Sequence, residues 1–131
     1  MLPDTNLAVI NVLDNKTYID CHIQNSINIH LDQLEQEVKE WDRKKPVVVY
    51  CANYLCPMSR LAWQKLNRMG FKNVWAYEGG VVEWFQMGFP VQGECKLEYL
   101  SKPTSKPAVP EQGTEEIRTI GAAELRKLMK I

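Results

Sequence analysis

Cys51 and Cys56 stand five residues apart, where an apolar, strand-like run meets a helix-like one. The run Pro46-Val47-Val48-Val49-Tyr50 ends on Cys51. Ala52-Asn53-Tyr54-Leu55 follows, then Cys56, and Pro57 opens a helical pattern that stops at Gly70. A free thiol ionises near pH 8.5, and the thiolate is the nucleophile. A tight loop can aim several backbone N–H groups at one sulfur, and the positive end of a helix adds to them. Such a cradle favours a thiolate, a persulfide anion or an oxyanion. The chemistry this allows is covalent catalysis on Cys51, with Ala52, Asn53, Tyr54, Leu55 and Cys56 as the substrate-binding loop. A buried, inert cysteine at a strand end fits the same residues, and the spacing alone leaves both readings open.

The elements that must hold this loop follow from the patterning. Leu7 to Val12 and Val74 to Tyr77 read as strands buried on both faces, like Val47 to Tyr50, with Ile27 to Ile29 as a further short strand. Cys21 to Ser26 reads as a polar turn. Helices are expected over Asn15 to Asp20, over Leu31 to Trp41 with Leu31, Leu34, Val38 and Trp41 on one stripe, and over Pro57 to Met69 with Leu61, Ala62, Leu66 and Met69 inward. A further short helix, Val81 to Met87, ends at Gly88 and Pro90. Strands alternating with helices predict an α/β fold with a central parallel sheet flanked by helices on both faces. Sites in such sheets gather at the carboxyl ends of the strands. That places Glu78, Gly79 and Gly80 on a candidate wall, with Arg60 as the nearest cation in sequence.

The totals exclude several classes. The chain has 131 residues, 45% hydrophobic and 24% charged, with 16 basic and 16 acidic residues and no formal net charge. That is one ordinary domain, with no electrostatic case for nucleic acid or a membrane surface. Met1 to Ile10 has no basic start and no long apolar core, and no run reaches membrane-span length. The expectation is a cytoplasmic protein whose four cysteines, Cys21, Cys51, Cys56 and Cys95, are free thiols. No cofactor is expected. Cys21-His22 with Cys51 and Cys56 matches no common zinc spacing. His22 is read as structural and Trp63, Trp75 and Trp84 as core aromatics.

Residues 1–100 are expected to form the domain, with a proline-rich linker over 101–116 and an amphipathic helix over 117–131. In that last segment Ala122, Leu125, Leu128 and Met129 share a face.

From Val9 to Val91 the chain resembles the rhodanese domain family. The family's opening pattern falls on Asn11-Val12-Leu13, Tyr18 and Cys21-His22-Ile23-Gln24-Asn25-Ser26. Its late pattern falls on Gly70-Phe71, Asn73-Val74, Glu78-Gly79-Gly80, Trp84, Gly88 and Pro90-Val91. The family's catalytic cysteine falls on Cys51. The resemblance implies a sulfurtransferase that carries sulfane sulfur as a persulfide on Cys51. Its partners would be a sulfur donor and a thiol, cyanide or sulfur-carrier-protein acceptor. Ala52 to Leu55 contains no Arg or Lys, whereas members that use thiosulfate tend to have basic residues there. The expected donor is therefore polysulfide or a persulfide. Asn11 and Leu13 stand where the family has a charged pair. Cys56 is a candidate resolving thiol; the competing reading is that it points into the helix N-terminus and does nothing.

Two other functions compete. A non-catalytic interaction module keeps the fold without turnover. A phosphatase or arsenate reductase needs an Arg at the end of the loop to clamp oxyanion oxygens, and Pro57 stands there. The family's usual first helix is missing before the first strand, and Ile120 to Met129 resembles it. The tail is expected to fill that place, in its own chain or by exchange in a homodimer.

Overall fold

The chain was obtained as a computed structural model that describes residues 6–103 and 117–131. Its centre is a parallel sheet of four strands among the described residues: β1 (Ala8–Asn11), β3 (Ile27–Asn28), β4 (Val47–Tyr50) and β5 (Val74–Tyr77), in the order β3-β1-β4-β5. β4 is central, with Val48 opposite both Val9 and Trp75. All four β4 side chains are buried, which is why that run carries no polar alternation.

Successive β4 residues face opposite cores. Val47, Val49 and Cys51 pack with Leu34, Val38, Ala62, Trp63 and Leu66, on the side of α2 (Leu34–Val38) and α3 (Met58–Arg68). Val48 and Tyr50 pack with Val81, Val82, Trp84, Leu100, Ile120 and Leu125, on the side of α4 (Gly80–Gln86) and α5 (Ala122–Met129). Helices thus cover both faces. α1 (Asn15–Asp20) follows β1, and its Tyr18 donates a hydrogen bond to the Ser26 carbonyl at 2.7 Å.

Several local expectations change. Leu31 to Trp41 is a 3₁₀ turn, Leu31–Gln33, followed by the five-residue α2. The stripe of apolar residues does not report how tightly the first turn winds. Leu61 is exposed rather than inward, because Ser59, Ala62, Trp63 and Leu66 hold the buried face of α3. Within the expected polar turn, β2 (His22–Ile23) pairs antiparallel with β6 (Val91–Gln92).

That pairing explains the largest correction. It carries the chain after β6 back to Asp20, whose carbonyl accepts the Cys95 N–H at 2.7 Å and whose carboxylate accepts the Lys96 and Leu97 N–H groups. Cys21 and Cys95 then stand 4.5 Å apart at Cα and form a disulfide, although 74 residues separate them. Two of the four expected free thiols are therefore bonded, and for those two the ground for a cytoplasmic setting is gone. Cys51 and Cys56 are free.

Of the expected linker, 104–116 lies outside the described residues. After it, the chain is extended rather than helical up to Gly121. Ala76 donates to the Arg118 carbonyl at 2.8 Å and accepts from Ile120 N–H at 3.1 Å, so this segment lies parallel against β5. β-branched Thr119 and Ile120 suit that edge. α5 then buries Ala122 and Leu125 in the chain's own core.

Candidate active site

Cys51 follows β4 at the carboxyl end of the sheet and is 0% exposed. Its Sγ lies 3.4 Å from the Cys56 carbonyl oxygen. A turn folds the loop back on itself: Asn53 accepts the Leu55 N–H on its side-chain oxygen at 3.0 Å and the Cys56 N–H on its carbonyl at 3.1 Å. This brings the half-buried Cys56 thiol into hydrogen-bond contact with the Cys51 thiol. Leu55, at the tip, is 83% exposed.

The two sulfurs share one charge unequally. The Cys51 thiol donates to Cys56 and, outweighing a partial burial cost, lowers it to about 6; N–H groups of Met58 and Ala52 add to this. Cys51 moves the other way, raised first by that same hydrogen bond and then by burial. The loop and the start of α3 therefore supply the expected N–H cradle, divided between two sulfurs. Ser59 gives its N–H to Cys51. Its hydroxyl is buried and makes no full hydrogen bond of its own, reaching only the Cys51 sulfur.

The Gly79-Gly80 pair forms the wall opposite. Gly80 has φ +70°, and a Cβ there would stand 2.5 Å from the carbonyl oxygens of both Cys51 and Ala52. Those carbonyls accept the N–H groups of Val81 at 3.1 Å and Val82 at 2.9 Å. The first turn of α4 thus grips the loop backbone. A Cβ on Gly79 would strike Glu83, which folds back over it. Glu83 accepts hydrogen bonds from Tyr54 and Tyr77, both at 2.8 Å, and so ties the loop to β5. Burial, then the Glu83 contact, raises Tyr54 to about 12. Arg60 pairs with Glu78 at 3.7 Å, and Pro57 stands immediately before α3.

All the residues expected at the site therefore surround one loop. Ser59 and Glu83 were not anticipated. Ser59 carried one usable signal, a small polar residue in the first turn of the helix after the loop. Glu83 carried none, since its partnership with Tyr54 spans 29 residues. His22 lies elsewhere, stacked on Tyr18 at 3.9 Å with Nδ1 2.7 Å from the Tyr18 carbonyl. Asn11, fully buried, accepts the Leu13 N–H at 2.9 Å, a neutral contact at the position of the family's charged pair. Among the described residues no His, Cys, Asp and Glu cluster could hold a metal, and no helix is long and apolar enough to cross a membrane.

A family model described as a rhodanese-like domain matches residues 1–87. A thiosulfate sulfurtransferase GlpE of Coxiella burnetii is 30% identical over 79 residues, covering 60% of this chain and 72% of that protein. A tRNA uridine(34) hydroxylase of Citrobacter koseri is 29% identical over 102 residues, covering 70% of this chain but 29% of that protein. Among solved structures, a rhodanese-related protein from Thermoplasma volcanium is 32% identical with a TM-score of 0.58, covering 66% of this chain and 84% of that one. The BH2092 protein of Bacillus halodurans is 27% identical with a TM-score of 0.63, covering 70% and 66%.

Proposed function

Because the chain belongs to the rhodanese-like domain family, we propose that it is a sulfurtransferase carrying sulfane sulfur as a persulfide on Cys51. The observation that carries this reading is the thiol pair itself: Cys51 ends the central strand, in hydrogen-bond contact with a lower-pKa thiol inside a loop rich in inward N–H groups. Cys51 attacks the terminal sulfur of the donor as its proton passes to Cys56. The donor's S–S bond breaks, and its remaining fragment leaves with the electron pair. The N–H and hydroxyl of Ser59 then bear on the charge held at Cys51. An acceptor nucleophile, a thiol, cyanide or a sulfur-carrier protein, takes the outer sulfur and returns Cys51 to the thiol state.

The surroundings favour polysulfide or a persulfide over thiosulfate. Glu83 ties down Tyr54 of the loop, and Glu78 pairs with Arg60 beside it. A compact dianion would meet the Glu83 carboxylate, the Arg60 charge is offset by Glu78, and Ala52 to Leu55 offers no cation. The name of the Coxiella relative attaches to thiosulfate; the loop charge is the reason for a different donor here.

The test is cyanolysis. The protein is treated with inorganic polysulfide, then cyanide, and thiocyanate is measured for wild type and Cys51→Ser. Loss of thiocyanate in the variant is expected, and equal yields would sink the reading. Thiosulfate is run in parallel and should be the poorer donor.

A further inference from the structure

Cys56 has a use beyond taking the Cys51 proton, and this inference rests on Cys51 as the persulfide carrier. We propose that Cys56 resolves the Cys51 persulfide by attacking Sγ of Cys51, releasing hydrosulfide and closing a Cys51–Cys56 disulfide that a dithiol reductant reopens. The chain would then release sulfane sulfur as sulfide in addition to passing it on.

The geometry is built for this closure. The Asn53 turn folds Cys56 back toward Cys51, and Cys51 Sγ lies 3.4 Å from the Cys56 carbonyl oxygen. The bond would close within one six-residue loop, Cys51 to Cys56. The loop stays gripped from the far side by the N–H groups of Val81 and Val82 and by the Tyr54–Glu83 bond. Cys56 is the more ionised and more exposed of the pair, which suits it to attack, whereas buried Cys51 suits the role of holder.

Atoms and electrons balance without an outside oxidant. In the persulfide anion the outer sulfur of Cys51 carries the charge. The Cys56 sulfur forms a bond to Cys51 Sγ as the bond from Sγ to the outer sulfur breaks. The outer sulfur takes that electron pair and the Cys56 proton and leaves as hydrosulfide. The oxidising equivalent that entered with the sulfane sulfur is now stored in the protein disulfide. A dithiol of the form R(SH)2 returns both cysteines to thiols and is itself oxidised to the cyclic disulfide. Cys56, next to the exposed Leu55, is the sulfur such a reductant can reach.

The experiment mixes the full chain, with Cys21–Cys95 bonded and Cys51 and Cys56 as thiols, with inorganic polysulfide without oxygen and removes the excess. Sulfide is then trapped, and cysteine peptides are mapped by mass. Mapping separates a Cys51–Cys56 link from Cys21–Cys95. Cys56→Ser is loaded at alkaline pH, because it lacks the neighbour that takes the Cys51 proton. Wild type should release one sulfide per chain with Cys51 and Cys56 joined. Cys56→Ser should hold the added sulfur on Cys51 about tenfold longer or more, because thiol–disulfide closure has lost its attacking thiol. Wild type that keeps its added sulfur as long as Cys56→Ser overturns the resolving role. So does added sulfur resting on Cys56 with no disulfide formed. Cys56→Ser that takes no sulfur on Cys51 overturns the persulfide reading instead, so the two failures are distinguishable.

Discussion

Gly80 offers a severe test of how the loop is held. Gly80→Ala adds one methyl group at φ +70°, 2.5 Å from the carbonyl oxygens of Cys51 and Ala52. A relaxed carbon–oxygen approach is about 3.3 Å or more, so the loop backbone must retreat by nearly 1 Å. The left-handed conformation alone costs a non-glycine residue roughly 1–2 kcal/mol, and overpacking adds about 1–3 kcal/mol. Gly70→Ala is the matched control. Gly70 also has positive φ, +97°, but nothing lies within 4 Å of the place a methyl group would take there, so only the conformational cost of roughly 1–2 kcal/mol applies. The difference between the variants isolates the contact with the loop. Urea unfolding should therefore place Gly80→Ala about 1–3 kcal/mol below Gly70→Ala. Cyanolysis by Gly80→Ala, measured while it is still folded, should fall on the order of 100-fold, because a reacting atom displaced by about 1 Å loses that much. Gly70→Ala should keep its activity. Equal stability of the two variants, or full activity in Gly80→Ala, would refute the account of Gly80 as the backing of the loop.

Three other outcomes follow from the same structure. Cys95→Ser should lower stability in urea unfolding by about 4 kcal/mol, the chain-entropy value for a loop of this length, since the bond links residues 74 apart; an unchanged midpoint in oxidising buffer would show the bond to be absent. Alkylation of Cys56 should rise with pH through about 6 and then level off, while Cys51→Ala, which removes the donated hydrogen bond, should move that rise to higher pH. The sign for stability matches: the folded chain holds this proton less tightly than the unfolded one, so the contribution is complete above the unfolded thiol's range and is lost as pH falls toward about 6. Leu125→Ala empties a fully buried site on α5 and should cost about 2–5 kcal/mol; a loss under about 0.5 kcal/mol would mean that α5 does not pack where it is described.

Much of the architecture was legible because it depends on short-range patterning. Val47 to Tyr50 is apolar on both faces, and only a central parallel strand with helices on each side uses such a run. Gly70 and Gly88 stand at the ends of helical patterns, and both adopt positive φ. The loop from Cys51 to Cys56 was legible as a unit, since a strand end, a turn-forming Asn53 and the helix-opening Pro57 are adjacent in sequence. Finer winding was not. The tight turn over Leu31–Gln33 and the outward Leu61 depend on how α2 and α3 settle against the sheet, and apolar spacing does not encode that choice.

The sequence by itself determined a strand, a thiol loop and a helix, the lack of cations within that loop, and the two cysteines at its ends. Only the tertiary structure decided the division of charge between them. Cys56 is the lower-pKa sulfur because Cys51 donates to it and the Ala52 and Met58 N–H groups point at it, and such directions exist only after the chain has turned back on itself. The same holds for the Cys21–Cys95 bond, the Ser59 hydroxyl beside Cys51, and the Tyr54–Glu83–Tyr77 tie. The Cys21–Cys95 bond and the Tyr54–Glu83 bond join elements far apart along the chain, and the Ser59 and Tyr77 contacts depend on how adjacent elements pack. Composition and periodicity report which residues are buried, and only packing reports which of the buried groups meet.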